Sequence, residues 1–223
     1  MCIIKVMKSR LFFLVLYVLS LPLFAQAEIA PGALDNYAAL LNKPAVVKPP
    51  TAAQLEKNWY HVGLDSHVFT DLAGFRQIVQ VLSDVENYGT IFDGKSSKLR
   101  TSIVSRENNE TVVDITSITI AFIQFTIKYR ASVKILENTG TRFIDETRQT
   151  DSKTNEQIRN NHSIRYVEEV TIDGKKYTYI RMSSVSDTHV GIKLPNIIHT
   201  IEKNSVSSNE DTLHMIMTAA KSR

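Results

Sequence analysis

Two periodicities divide the chain. Between residues 70 and 92 apolar side chains recur every three or four positions, which is the period of a helix lying on a core. Leu72, Phe75, Ile78, Val79 and Leu82 form one stripe, with Thr70 or Asp71 as its N-terminal cap. Asp84 then caps a second short helix over 85–92, in which Tyr88, Ile91 and Phe92 face one way and which Gly94 ends. From about residue 97 the period falls to two. The runs "SKLRTSIVSR", "ETVVDITSITIAF", "FTIKYRASVKIL", "TRFIDETRQT", "SIRYVEEVTI" and "KYTYIRMSSVS" are rich in β-branched and aromatic residues and are separated by turn-forming segments. In the third run Ile127, Tyr129, Ala131, Val133 and Ile135 alternate with Lys128, Arg130, Ser132 and Lys134. One face is wet and one is covered, so the sheet is expected to be antiparallel.

The flanks are helical or loose. "WYHVGLDSHVF" (59–69) alternates and predicts a first strand. Upstream, "LDNYAALLNKP" predicts one or two helical turns that stop at Pro44, and Thr51 predicts the cap of a short helix reaching about Lys57. Residues 28–57 therefore read as a partly helical arm packed on the outside of a domain spanning 58–223. Near the end, "GIKLPNIIHTIEKN" is broken at Gly191 and Pro195. A final helix is expected in "SSNEDTLHMIMTAAKSR", with a serine or asparagine cap and Leu213, Ile216, Met217 and Ala220 as its apolar stripe.

The first 27 residues change how the charge is read. Lys5, Lys8 and Arg10 precede the apolar run "LFFLVLYVLSLPLFA", and "AQA" at 25–27 offers small residues for cleavage. This is the layout of a secretory signal, cut near Ala27. The run is too short to span a bilayer and contains Pro22. The whole chain has 26 bases and 23 acids; the first 27 residues carry three bases and no acid, leaving 23 against 23. A neutral surface gives no reason to expect nucleic acid as a partner. Cys2 is the only cysteine and falls in the removed segment, so no disulfide or thiolate chemistry is expected afterwards. The expected location is periplasmic or secreted.

The order of strand, two short helices, about six antiparallel strands and a long helix resembles the START-like, or polyketide cyclase/dehydrase-like, helix-grip (SRPBCC) superfamily. "VLSDVENYGTIFDG" resembles that family's helical segment after the first strand, and "GIKLPNIIHTIEKN" resembles the approach to its last helix. Gly89 departs from the pattern, since many relatives have proline after the aromatic residue. The resemblance spans about 58–220 and implies an α+β, helix-grip fold. In it a curved antiparallel sheet of about six to seven strands wraps the C-terminal helix, and an apolar cavity lies between them. It also implies an apolar small-molecule or lipid partner, with transient membrane contact.

No nucleophile elbow, phosphate loop or dinucleotide fingerprint occurs, and the six histidines are scattered. No catalytic residue, metal or cofactor is therefore assigned. Candidate ligand contacts are Tyr88, Phe92, Tyr129 and Phe143, with Leu213, Met215 and Met217 on the last helix. The hairpin face carrying Tyr166, Glu168, Tyr179 and Arg181 is added because it is the more apolar of the two. A four-residue turn sets Glu168 opposite Arg181, and a two-residue turn shifts the pairing by two but keeps both on that face. They either orient a ligand head group or form a structural or surface pair. The expected function is an exported binding protein for a hydrophobic small molecule. The alternatives are a cyclase-, dehydratase- or hydrolase-type enzyme on a polyketide or aromatic substrate, for which Glu168, Arg181 and Tyr179 are the only set on offer, and a domain whose cavity has filled in.

Overall fold

In a computed structural model of the chain, the described residues are 28–94, 97–120, 124–191 and 195–223. The expected signal lies outside them. The elements are β1 (Ala45–Val46), β2 (Thr51–Glu56), β3 (Trp59–Thr70), β4 (Ser97–Glu107), β5 (Glu110–Ile120), β6 (Gln124–Asn138), β7 (Arg142–Gln149), β8 (Ile158–Ile172) and β9 (Lys175–His189). The helices are α1 (Tyr37–Leu40), α2 (Phe75–Ser83), α3 (Tyr88–Ile91) and α4 (Ile197–Lys221), and a 3-10 turn at Val85–Asn87 joins α2 to α3. All strands belong to one antiparallel sheet in the order β1-β3-β9-β8-β7-β6-β5-β4, with β2 also paired to β3. The fold is α+β and helix-grip: α2, α3 and α4 cover one face of the sheet.

Each of the six alternating runs is a strand. Tight hairpins set their register. Asn108, and the pair Asp173 and Gly174, take the positive φ that two-residue turns of this kind need. The second turn fixes the two-residue register, so Tyr166 faces Arg181 and Glu168 faces Tyr179.

Three local expectations are corrected. Residues 51–56 form a strand, not a helix. Asn58, at φ 66°, closes a tight turn after Lys57 and folds this segment onto the open edge of β3, whose backbone groups need partners. The approach is close: a Cβ on Gly63 would come within 2.8 Å of the Thr51 hydroxyl oxygen. Helix α2 starts at Phe75, where the Gln77 side chain accepts the Gly74 N–H at 2.8 Å. Thr70 and Asp71 are engaged elsewhere, with Asn42 and Lys175, and Leu72 is left exposed before the helix. The last helix runs unbroken for 25 residues. The expected caps Ser207, Ser208 and Asn209 therefore lie inside the helix, where Ser208 lends its carbonyl to the Thr212 hydroxyl at 2.8 Å, as Ile201 does to Ser205.

Two hydrophobic layers result. On the concave face Leu213, Ile216, Met217 and Ala220 of α4 pack with Phe75, Ile78, Val81 and Leu82 of α2 against Val68, Phe143, Val167 and Ile180. On the opposite face Ala30, Ala33, Tyr37 and Leu40 cover Phe69, Tyr166, Tyr177 and Tyr179. The arm is thus a structural layer. Its Ala30 N–H donates to the Tyr179 hydroxyl at 3.0 Å, and Arg181 donates to the Glu28 carbonyl at 3.0 Å.

Further along this outer face His61 Nδ1 meets Asp187 at 2.7 Å, and Asn160 donates to the other carboxylate oxygen at 2.7 Å. The Asp187 bond raises the His61 pKa against the opposing effect of burial. Burial pushes the Asp187 carboxyl up, but the His61 and Asn160 bonds outweigh it and hold it below its ordinary value. A raised histidine stabilises the fold fully below its unfolded pKa, and the contribution disappears as pH rises through the folded one. His61→Gln should therefore cost most stability near about pH 5.5 and progressively less toward about pH 8.5, either side of the ordinary histidine value. Urea titrations at both pH values check this, and a cost that is equal at the two excludes the pair.

Candidate functional site

The concave face is not fully filled. Between the sheet, α3 and α4 lies a hollow of about 190 Å³. Its walls are Tyr88 and Phe92 from the α3 region, Leu99 and Thr101 of β4, Val113 and Ile115 of β5, and Tyr129 and Val133 of β6. Lys98, Ser117, Thr147, Ser163, Arg165 and Met182 complete the sheet side, and Ser208, Thr212 and Met215 form the helix side. The hollow exists because α4 presents Ser208 and Thr212, one turn apart, where its lower stripe presents Leu213 and Met217. Small side chains there cannot reach across to the sheet.

The chemistry of the hollow is set by one ion pair. Arg165 of β8 and Asp145 of β7 are direct cross-strand neighbours. Arg165 Nε and Nη2 donate to the two Asp145 carboxylate oxygens at 2.8 and 2.5 Å. Asp145 is 1% exposed and Arg165 8%. Nη2 also reaches the Leu82 carbonyl at 3.5 Å, and the Tyr88 hydroxyl donates to the same carbonyl at 2.5 Å. Leu82 lies in the last turn of α2, where unpaired carbonyls and the helix dipole favour a cation. The guanidinium carbon lies 5.6 Å from the centre of the Tyr88 ring, and Phe92 packs edge-on against that ring at 5.0 Å.

Burial governs ionisation here. It works against the charge on Arg165, but Asp145 outweighs it and keeps the guanidinium protonated. Burial lifts the Asp145 carboxyl above the usual carboxylate range against the opposing pull of Arg165. The Tyr129 hydroxyl is pushed up to about 12, also by burial, so it stays a neutral phenol. The hollow therefore offers hydroxyls, the guanidinium of an internally neutralised ion pair and Lys98, itself paired with Asp93 at 2.7 Å, set among apolar side chains.

The expected contacts divide into three groups. Tyr88, Phe92 and Tyr129 do border the hollow. Phe143, Leu213 and Met217 lie on the same side of the sheet but are fully buried in the packed core. Tyr166, Glu168, Tyr179 and Arg181 are on the other face of the sheet and cannot reach the hollow. Nor do Glu168 and Arg181 pair with each other. Arg181 makes two bonds to Asp65, at 2.9 and 2.6 Å, with Ser183 adding a third at 2.9 Å. Glu168 takes Arg142 at 3.3 Å and the Tyr166 hydroxyl. Arg165 and Asp145 were not among the expected contacts. The available signal was their position: each is a charged residue on a strand face that otherwise carries Val167 and Phe143.

A break in the helices sits beside the hollow. Asp84, expected as a helix cap, accepts the Asn87 side-chain amide at 2.9 Å and pairs with Arg223. The second contact ties the end of α4 to the α2–α3 junction.

No family model matches the chain, and no curated protein matches it in sequence. Solved structures do match in fold. A protein from Thermus thermophilus superposes with a TM-score of 0.52 at 9% identity, covering 71% of this chain and 96% of its own. A STAR-related lipid transfer protein from Xanthomonas axonopodis superposes with a TM-score of 0.50 at 9% identity, covering 78% and 99%. Identities this low show the fold, which is START-like.

The ion pair predicts an asymmetric stability response. Removing one partner, as in Asp145→Leu, strands a buried charge and should cost about 3–5 kcal/mol. The double change Arg165→Met with Asp145→Leu should be neutral or stabilising by about 1–4 kcal/mol. Denaturant unfolding of the wild type and both variants measures this, and a double variant as unstable as the single one would make the pair a structural necessity.

Proposed function

We propose that this chain binds a compact hydrophobic small molecule carrying one neutral polar group, held between the sheet and α4. The observation that carries the reading is Arg165, held by the buried Asp145, at the wall of a hollow that mixes apolar and hydroxyl side chains. Replacing such a pair with apolar residues generally costs a fold little, so packing alone does not explain why a core keeps one. As a pair it has no net charge. It can bond a hydroxyl or carbonyl without leaving a free charge, whereas a carboxylate or phosphate would need a cation of its own, and the other lining cation, Lys98, is already paired with Asp93 at 2.7 Å. The fold shared with a STAR-related lipid transfer protein is in keeping with a hydrophobic ligand.

Turnover of a polyketide or aromatic substrate is the weaker reading. Both carboxylate oxygens of Asp145 already accept from Arg165, and Tyr129, with its hydroxyl pushed up to about 12, stays protonated and does not act as a base. The test is native mass spectrometry of the purified protein, followed by a panel pairing neutral alcohols and ketones with carboxylates of the same skeleton. A co-purifying adduct and preference for the neutral members are expected, with that preference lost in the Arg165→Met, Asp145→Leu double variant. No adduct and no affinity across the panel would end the reading.

The chain is also proposed to act outside the cytoplasm, on the strength of residues 1–27. Expression in a Gram-negative host should yield periplasmic protein whose N-terminal sequence starts at Glu28. Recovery from the cytoplasm with Met1 intact would contradict it.

A further inference from the structure

The inner hollow is not the only space at this end of the molecule. A groove of about 770 Å³ runs outside it, between α3 (Thr90, Ile91) and the C-terminal half of α4 (His214, Thr218). Among the described residues one side chain borders both spaces: Met215. It is half-buried, on the turn of α4 between Thr212, which faces the hollow, and Thr218, which faces the groove.

Two magnitudes give this position meaning. Ligand pockets usually measure roughly 300–1,000 Å³. The hollow alone falls below that range; joined to part of the groove it enters it. At about 30 Å³ for each water-sized unit, the hollow takes roughly six such units, the bulk of a short aliphatic chain. The partition between the two spaces is a methionine, unbranched and with three rotatable bonds, so it can move aside without displacing the helix backbone. The helix does not need to shift, and the Asp84–Arg223 tie can stay closed.

We propose that Met215 is a movable partition that sets the length of ligand this site accepts. A longer single-chain molecule with a neutral head would keep that head at Arg165, fill the hollow with its first carbons, and pass its remaining chain beneath Met215 into the groove. The proposal rests on the binding reading above and adds the class of ligand: elongated, aliphatic and single-chained.

The experiment uses a homologous series of straight-chain primary alcohols displacing the fluorophore N-phenyl-1-naphthylamine from the wild-type chain and from Met215→Ala and Met215→Trp. In the wild type, affinity should keep rising past about eight carbons, by about tenfold or more for each two further methylenes that are fully buried. Met215→Trp should abolish the rise, so that the ratio of long-chain to short-chain affinity collapses by about tenfold or more for each two methylenes no longer buried. Met215→Ala should preserve the rise. A wild-type affinity that levels off at short chains, or a tryptophan variant that weakens short and long alcohols alike, overturns the partition. Displacement by no alcohol of any length indicts the binding reading instead.

A second measurement needs no ligand. In a chain with Cys2→Ser, a cysteine introduced by Ser163→Cys lies in the wall of the hollow. Its labelling by a small thiol reagent should speed up with Met215→Ala and slow with Met215→Trp. Rates indifferent to residue 215 overturn the proposal even if ligands bind.

Discussion

The structure depends on burial of both faces of one sheet. A strand face that alternates apolar and polar residues needs only one covering layer, but here apolar residues occupy both sides of β3, β8 and β9. Val68, Val167 and Ile180 point toward α4, while Phe69, Tyr166 and Tyr179 point away. The inner set is sealed by α2 and the stripe of α4, each large side chain of which is worth about 1.5–3 kcal/mol on burial. The outer set would be an exposed aromatic patch without residues 29–47. The arm is therefore a second lid for the sheet. It fixes which face of each strand is left to the helices and the hollow.

This two-sided burial explains where sequence reasoning succeeded and where it failed. Periodicity located all six alternating strands and the stripe of α4, because both depend on side-chain spacing along a single segment. Parity was also legible: Tyr166, Glu168, Tyr179 and Arg181 do share a face. Which face is concave was not legible, since that depends on what covers the other side. The more apolar face of the β8–β9 hairpin proved to be the one under the arm. The face with Ser163, Arg165 and Met182 reads as more polar, and it borders the hollow because an unfilled space tolerates polar groups that a packed layer excludes. Tyr88 and Phe92, at the two ends of α3, border the hollow as expected of the covered side of a short helix.

The local misreadings share a cause. "TAAQLE" is good helix sequence, but the unpaired edge of β3 and the turn at Asn58 recruit it as a strand. The serines and asparagine before Leu213 resemble a cap, but the helix begins ten residues earlier, at Ile197, and carries them in its interior. In each case tertiary demand for backbone partners or continuous packing outweighed a preference of a few tenths of a kcal/mol to about 1 kcal/mol per residue.

The two buried arginines show how similar parts serve different ends. Arg181 with Asp65 and Arg165 with Asp145 are both cross-strand pairs with two bonds between guanidinium and carboxylate. The first is closed over by the arm: Ser183 takes a further place on Asp65, and the Glu28 carbonyl takes a further N–H of Arg181. Its polar capacity is spent within the protein, as expected of a pair that fixes the arm on the sheet. The second pair borders open space, and its neighbours Thr147, Ser163 and Tyr129 bring more hydroxyls to the same wall. A fold that needed only to neutralise Arg165 had no use for a hollow beside it. Leaving one there, walled by small hydroxyl side chains from both sheet and helix, retains hydrogen-bonding capacity that only a guest molecule or water can use.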